Sequence, residues 1–513
     1  MKRLAALLMC VMLTMAAVMT AGGEALAEGE SKTLVYGMDK SWNRLMPYDL
    51  SGMNMIMVSD KIFDKLTYLS ENGLGLRAAE SIEVEDGGKT FVIKIRENAM
   101  WHDGVPVTID DWIWTLETMS DPAINDIAGK VYLNVFEGTD NAGIRVEGET
   151  FGVEKVDEYT MKWHLKTATS PEAFFFSYNN RFSVLPKHLL ENIPVAELNG
   201  ASFWTNPVGS GPYKFVSEIS GQEITLEAFA DYELGEPQIH TLIYKVMDKS
   251  SFANALLAGE IDTCYSNLTA DEALALDGQN GLRAEQVTGN TIAYYFTINN
   301  EKFNANVRYA LSLLLDKDII LQSIFGGKGV VAESWVLPTS TYYNTNLTFQ
   351  RNVEEAKRIL DEENFDYSQV ITIGASNSRR QNIALIAQAC FAEAGITLDV
   401  IQGENLFAAA TNGEIDMTVM SWTSSASPTY WLAYQKGSYS RIQDSKYYDA
   451  LTAVNVESDP EKKVQMMYDI QEVYARECPY IPLCQEYIYM VMADEVHGVS
   501  IPNVDQCWTW TMD

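Results

Sequence analysis

The chain has 513 residues, 47% of them hydrophobic, with 70 Asp and Glu against 37 Lys and Arg and a formal net charge of −33. That length is too great for one small core and sets an expectation of two or three domains. So acidic a surface repels nucleic acid and anionic lipid, which excludes nucleic-acid binding and keeps an exported protein soluble.

The first 27 residues read as a signal peptide: Lys2 and Arg3, an apolar stretch from Leu4 to Ala21, then the small-residue site Ala25-Leu26-Ala27. The alternative is an uncleaved anchor, since the apolar run is nearly of spanning length. Cys10 lies inside that run, too early for lipid attachment. Cleavage leaves 486 residues from Glu28 and, with Lys2, Arg3 and Glu24 gone, a charge of −34. Lys32 to Gly37 then predicts a strand, followed by a loop through Trp42 and Pro47 and a helix from Met53 to Lys65. Alternating residues from Ile82 to Ile95 around Glu85-Asp86-Gly87-Gly88 predict a hairpin. Thr108 caps a helix to Met119 with Asp110 and Asp111 in its first turn. Tyr159 to Leu165 and Phe174 to Ser183 are expected to be extended. After the turn Pro207 to Tyr213, strands are expected at Tyr213 to Val216 and Gln222 to Ala228.

The tetrapeptide Gly-Glu-Ile-Asp then occurs twice, at Gly259 to Asp262 and at Gly413 to Asp416, 154 positions apart. Chance repeats a given tetrapeptide in roughly one chain in a hundred of this size. Around the first copy, Ile239 to Met247 predicts a strand, Ser250 to Ala258 a helix and Ile261 onward a strand. Around the second the same roles fall to Ile396 to Gln402, Glu404 to Asn412 and Ile415 to Trp422. Each Gly stands where a left-handed residue closes a helix, and each strand-helix-strand unit demands a parallel sheet. Between and after the copies, Thr291 to Asn299 is expected to be the strand that starts a second lobe. Helices follow at Asn306 to Leu315, Lys317 to Phe325, Val353 to Glu363, Gln381 to Ala394 and Lys462 to Arg476, and Ile481 to Met492 forms a returning strand.

These readings give an α/β protein of two lobes with a crevice between them. The first lobe covers 28–288 with an extra subdomain over about 61–199, the second 289–488, and residues 489–513 return to the first. Strands crossing near Val287 to Asn290 and Glu486 to Met490 would let the lobes close on a ligand.

No GxSxG elbow, HExxH or phosphate loop is present, and no carboxylate pair stands out, so no catalytic residue is expected. His102, His164, His188, His240 and His497 have no metal spacing, so neither metal nor cofactor is expected. Five cysteines remain after cleavage. Cys390 reads as a buried small hydrophobe, and a local disulfide between Cys478 and Cys484 is open. Ligands of open α/β sheets bind at the carboxyl ends of strands, often against aromatic walls. Trp422, at the end of the second repeated unit, is therefore the first candidate, with Tyr265 at the analogous place in the first unit and Trp42 in the loop after the first strand.

Several stretches, in order, carry a resemblance to a known family. Trp101-His102-Asp103-Gly104 with Val107-Thr108 and Asp110-Asp111 resembles its Phe-His-Asp-Gly signature, and PVGSGPY at Pro207 to Tyr213 its Gly-Thr-Gly-Pro-Tyr turn. Asp231-Tyr232 with Gly235 and Pro237 is similar to an Asp-Tyr-Trp stretch, with Glu233 departing from it. Asn299, Phe303, Arg308, Ala310-Leu311 and Asp316 match the second lobe's opening helix, and Pro479 to Leu483 a Pro-x-Ile-Pro-Leu element. The chain thus resembles the solute-binding proteins of the peptide/nickel class of ABC importers, over nearly all of its mature length. The resemblance implies a two-lobed periplasmic-binding-protein-like fold with an interrupted first lobe, in a monomeric extracytoplasmic protein, periplasmic or at the cell surface, that closes on a small peptide or peptide-like solute and delivers it to a membrane permease. An exported sensor on the same fold, or a binder of oligosaccharide or chelated nickel, is the alternative. Peptide-binding members pair an Asp with the ligand's α-amino group just after a Gly-Trp. Here the stretch reads Ser421-Trp422-Thr423-Ser424-Ser425, with Ser425 at the acid's position, so Ser421, Ser424 and Ser425 join the candidates without that clamp.

Overall fold

Thr33–Met38 (β1) opens the main sheet of the computed structural model, which describes residues 32–513 apart from 43, 49–52, 71–72, 125–126, 178–180, 265–267, 349, 404, 426–439, 443–445, 458 and 500–503. The chain then builds a separate four-stranded sheet from Ala79–Glu85 (β2), Thr90–Ile95 (β3), Val153–Lys155 (β4) and Thr160–His164 (β5), ordered β2-β3-β5-β4, with the helices Ile109–Met119 (α1) and Pro171–Ser177 (α2) in the same stretch. It returns to the main sheet with Tyr213–Ile219 (β6), Glu223–Ala228 (β7) and Thr241–Val246 (β8), the helix Phe252–Leu257 (α3), and Thr263–Cys264 (β9). The 17-residue strand Leu282–Ile298 (β10) follows, then the helices Ala305–Leu314 (α4) and Lys317–Phe325 (α5) and the strand Gly329–Val331 (β11). Val370–Ala375 (β12), helix Ser378–Ala392 (α6), Thr397–Gln402 (β13), helix Leu406–Asn412 (α7) and Met417–Ser425 (β14) form the second repeated unit. Helix Pro460–Glu477 (α8) and the 14-residue strand Tyr480–Ala493 (β15) complete the sheet.

The sheet has eleven strands, ordered β13-β12-β14-β10-β15-β9-β1-β8-β7-β6, with β11 paired to β15 off that path. Its buried side chains fall into separate clusters. One takes Leu34, Tyr36, Leu226, Tyr244 and Met490, with the aromatic layer under β3 and β5. Another takes Phe296, Leu311, Ile373, Phe391 and Ile481. β10 and β15 contribute to both, so the two lobes share one antiparallel strand pair.

The repeated tetrapeptide has a structural reason. In each unit an earlier strand sits between the two that flank the helix: β8 and β9 both pair in parallel with β1, and β13 and β14 both pair in parallel with β12. The flanking strand starts late, at Tyr36 of β1 and Ile373 of β12, so the N–H one residue earlier has no strand beside it. The aspartate fills that place. Asp262 Oδ2 accepts the Val35 N–H at 2.7 Å, and Asp416 Oδ2 accepts the Thr372 N–H at 3.0 Å. The isoleucine packs on a glycine two residues further along the central strand. A Cβ on Gly37 would meet Ile261 Cδ1 at 2.7 Å, and one on Gly374 would meet Ile415 Cδ1 at 2.9 Å. Phe252 and Leu406, also 154 apart, press on the same two glycines, and Gly259 and Gly413 close their helices at φ +67° and +76°.

The stretches that carry the family resemblance act as clamps on the chain. The imidazole of His102 joins two of them: Nδ1 accepts the Gly209 N–H at 3.2 Å and Nε2 donates to Gly211 O at 2.9 Å. Neither glycine has room for a side chain, since a Cβ on Gly209 would overlap Ile62 O and one on Gly211 would come within 2.5 Å of Lys61 O. Burial pushes the His102 pKa down to about 4 against the opposing bond to Gly211, so the ring is neutral. Arg308 Nε donates to Glu477 O and Cys478 O, both at 3.0 Å, and Nη1 to Phe303 O, which ties α4 to the end of α8. Asp316 caps α5 through the Ile319 N–H.

Three expectations need correction. Phe174 to Ser183 is not extended throughout: Pro171–Ser177 is helical, with proline in its first turn and Phe174 and Phe175 buried against Trp163. The strand expected at Thr291 begins nine residues earlier, at Leu282, because pairing with β15 organises a stretch that has no apolar period of its own. Cys478 and Cys484 are free thiols, as are Cys264 and Cys390. Four residues of strand from Tyr480 to Cys484 span about 13 Å, beyond the reach of a disulfide.

Two measurements check these clamps. Asp416→Ala strands the Thr372 N–H and the Lys302 ammonium, which lies 2.7 Å from the carboxylate, and is expected to cost about 2–4 kcal/mol in urea unfolding. An effect below about 0.5 kcal/mol would show that the aspartate is dispensable. His102 titrates in the opposite sense to a paired histidine. Its folded pKa is depressed, so its contribution is complete above the unfolded value near 6.5 and is lost as pH falls from there towards 4. Urea midpoints across pH 7 to 4 should fall less steeply in His102→Gln than in the parent protein, by about one proton's worth of slope.

Candidate functional site

Strand direction places the site. β14 runs antiparallel to β10, from Met417 opposite Ile298 to Ser425 opposite Asn290. β9 runs antiparallel to β15, starting from Thr263 opposite Met492, and parallel to β1. β10 leads out of the first lobe and β15 back into it, so β1, β8 and β9 point towards the second lobe while β12, β13 and β14 point towards the first. Both parallel units therefore aim their carboxyl ends at one level of the β10–β15 pair. At that level the ladder breaks. Gln286 pairs with Tyr489 and Thr291 with Tyr487, so residues 287–290 stand against Ile488 alone, and Gly289 has φ +75°. This is where a βαβ architecture puts its ligand.

Four chain exits surround this level. After β1 comes the loop of Trp42, a buried residue whose indole Nε1 donates to Glu218 Oε1 at 2.9 Å, so its ring belongs to the first lobe's core. After β9 comes Tyr265, which lies outside the described residues. After β12, Asn377 Oδ1 accepts the Arg380 N–H at 3.0 Å and starts α6. After Ser425 the chain enters 426–439, also outside them.

β14 outruns its neighbour. Its last pair with β12 is Thr418 with Gly374, yet it continues to Ser425 against β10. The first turn of α6 reaches that overrun through the side chain of Arg380. Arg380 donates to Ser421 Oγ at 2.9 Å and to Ser376 Oγ at 2.8 Å. Arg379 donates to both Glu486 carboxylate oxygens, at 3.1 and 3.2 Å, and to Tyr294 Oη. Burial pushes the Glu486 pKa up, while Arg379 and the Tyr294 hydroxyl pull it down. On the other face of β14, Trp422 is half-buried against the cluster of Tyr295, Trp335, Met420 and Tyr474. Ser424 and Ser425 are placed by their backbone register, opposite Thr291 and Asn290. The structure thus brings Ser421, Trp422, Ser424 and Ser425 to one strand end, with Trp42 in the opposite lobe.

Sequence reasoning did not single out Arg379, Arg380 or Glu486. The available signal was Asn377-Ser378-Arg379-Arg380, a capped helix start directly after the central strand of a repeated unit. A cavity of about 660 Å³ lies elsewhere in the second lobe, lined by Tyr309, Lys317, Glu333, Arg476, Cys478 and Pro482, towards the start of β15 rather than the break. The buried Lys317 ammonium there is held by Ala332 O at 3.1 Å and faces Glu333 at 3.7 Å. Among the described residues no group of three or more His, Cys, Asp or Glu could hold a metal ion, and no helix is long and apolar enough to cross a membrane.

Comparison with known proteins agrees with this architecture. The chain is similar to the oligopeptide-binding protein AppA of Bacillus subtilis (strain 168), 26% identical over 88% of this chain and 87% of the relative. It is also similar to the dipeptide-binding protein of Escherichia coli (strain K12), 24% identical over 93% of each. Among solved structures, the ABC transporter substrate-binding protein CtaP of Listeria monocytogenes superposes with a TM-score of 0.79 at 22% identity, covering 94% of this chain and 100% of that one. The family described as bacterial extracellular solute-binding proteins, family 5 middle, matches residues 74–444. With that span, and with the two-lobed fold now described, the chain belongs to the family 5 bacterial extracellular solute-binding proteins.

Proposed function

We propose that the protein captures a peptide-like solute outside the cytoplasm, closes its lobes around it, and hands it to the membrane permease of an ABC importer. The observation that carries this reading is the overrun of β14 at the level where β10 and β15 lose register. A strand that continues beyond its neighbour offers main-chain groups to an extended chain by strand addition, and a peptide backbone is the solute that uses them. Trp422 adds an aromatic surface on one face of that strand and Ser421 a polar contact on the other. The similarity to proteins named for oligopeptides and dipeptides, over about nine-tenths of the chain, supports the same choice. No chemistry is performed on the solute.

In this reading residues 1–27 are a cleaved signal peptide. The first lobe is 28–288 with 489–513, including a subdomain over about 61–199, and the second is 289–488. The lobes turn about residues 287–290 and Ile488, where the pairing of the two strands shifts register. The protein acts as a monomer. Ser424 and Ser425 at the end of β14, and Tyr265 beyond β9, are the remaining contacts offered to the solute.

Small-angle scattering of the mature protein should show a smaller radius of gyration with a saturating mixture of short peptides than without. An unchanged radius under demonstrated binding would remove hinge closure. Trp422→Ala should weaken peptide binding about ten- to a hundredfold by calorimetry. Affinity equal to the parent's would move the site away from this strand.

A further inference from the structure

A cluster of charged side chains is buried at the joint between the main sheet and the four-stranded sheet. The chain leaves the helix Met53–Ile62 through Asp64 and Lys65 and reaches β2 after Arg77, and on its return the Val184 N–H donates to Asp64 O at 3.0 Å. Asp64, Lys65 and Arg77 are each at most 3% exposed. Lys65 Nζ lies 2.5 Å from Asp60 Oδ2. Arg77 pairs through Nε with Asp64 Oδ1, donates to Tyr232 Oη at 3.0 Å and to Asp60 O at 3.1 Å, and stacks on the Trp508 ring of the turn Val504–Thr509. Lys61, from the same helix as Asp60, faces the ring of Trp510. Asp60 and Asp64 thus each meet a cation.

Glu233, which follows Tyr232 in the loop after β7, has both carboxylate oxygens buried with no hydrogen-bond donor among the described residues. The same holds for Asp64 Oδ2, while Asp64 Oδ1 takes Arg77 and, at 3.4 Å, the Tyr232 hydroxyl. Two facing carboxyls therefore leave three buried acceptors without a donor. A buried acceptor left unmade is costly, and a second like charge beside it adds to the cost. Burial pushes the Glu233 pKa well above the usual carboxylate range, and the Asp64 carboxylate pushes it the same way, with Arg77 opposing them. One hydrogen on Glu233 turns an acceptor into a donor aimed at the acceptor opposite.

We propose that Glu233 and Asp64 hold one proton between them in the folded protein, and that this proton fastens the joint between the two sheets. With the proton bound, Glu233 donates its O–H to Asp64, and each charged acid of the cluster keeps its own cation, Asp60 with Lys65 and Asp64 with Arg77. When the proton leaves to solvent, a third carboxylate stands in the cluster without one. A carboxyl whose folded pKa is raised gives its full stability below the unfolded value of about 4.3 and loses it as pH rises through the folded value. Acid therefore tightens this joint and alkali loosens it, the opposite sense to His102. The proposal needs no assumption about the solute.

The test unfolds the mature protein, Glu233→Gln and Glu233→Ala in urea at steps from about pH 5 to about pH 9, above the unfolded range of a glutamate. Glutamine carries an N–H donor where the protonated acid carries its O–H, so Glu233→Gln should match the parent at the acid end and exceed it at the alkaline end. The folding constant of the parent relative to Glu233→Gln should fall by up to about tenfold per pH unit, the slope of one proton. His102 is common to both proteins, so its titration cancels in the ratio. Glu233→Ala, which offers no donor to Asp64, should be less stable than Glu233→Gln throughout. A ratio that stays constant across the range overturns the inference. Infrared spectra of the parent alone give a second reading: the carbonyl stretch of a protonated carboxyl should persist at neutral pH, and its absence there overturns the inference even if the variants fail to fold. Stabilisation of the parent but not of Glu233→Gln by added sodium, potassium or calcium chloride would assign the three oxygens to a cation instead and overturn it too.

Discussion

The structure depends on one pair of strands. β10 and β15 are antiparallel neighbours in both lobes, and their hydrogen bonds are what joins one core to the other in a single sheet. Two long strands resist shear along their length, because slipping by one residue would turn every buried side chain outward. They resist bending only where the ladder is intact. The mismatch of residues 287–290 against Ile488 is where that ladder is interrupted, and the direction of the parallel strands on either side follows from which side of the break they lie. The carboxyl ends of two three-stranded parallel units meet there as a consequence of pairing alone.

The sequence was legible where a local physical requirement left a repeated trace. Gly-Glu-Ile-Asp recurs because each residue answers a geometric need: a left-handed helix end, an isoleucine over a glycine of the central strand, and an aspartate for an N–H that no strand reaches. The half of β10 before Thr291 was not legible, since its order comes from β15, some two hundred residues away in the chain. The helix at Pro171 was missed for a related reason. Its aromatic run looks extended by composition, and only the layer of Phe91, Trp163 and Phe182 around it makes a helical turn the better packing. Arg380 left one trace, the capped helix start from Asn377 after the central strand, but its contact with Ser421 exists only because β14 outruns β12.

The residues that carry the family resemblance do a different job from those proposed to meet the solute. His102, Gly209, Gly211, Arg308 and Asp316 fix turns, helix ends and the contact between segments. Their bonds go to backbone groups, so they are indifferent to which solute is carried. The strand end of β14 departs from the family's stretch at Ser421 and Ser425, and the first turn of α6 meets it through side chains, Arg380 with Ser376 and Ser421. Fold and ligand are thus specified by separate sets of residues, and a chain can keep the first while changing the second.

That separation bears on how binding becomes closure. A solute shifts the balance between open and closed forms only by what it gains in one and not in the other. In the proposed reading, contacts with Ser421 and Trp422 belong to the second lobe and exist whether or not the lobes meet, so they set capture. In the same reading the work of closing comes from the ends of β1 and β9 in the first lobe, reached after a turn about residues 287–290. The shifted register at the break leaves fewer regular pairs to disturb on bending, so a first-lobe contact moves the population more readily. Moving it from 1:99 to 99:1 takes about 5.5 kcal/mol of differential binding, which a few main-chain hydrogen bonds and one buried side chain can supply.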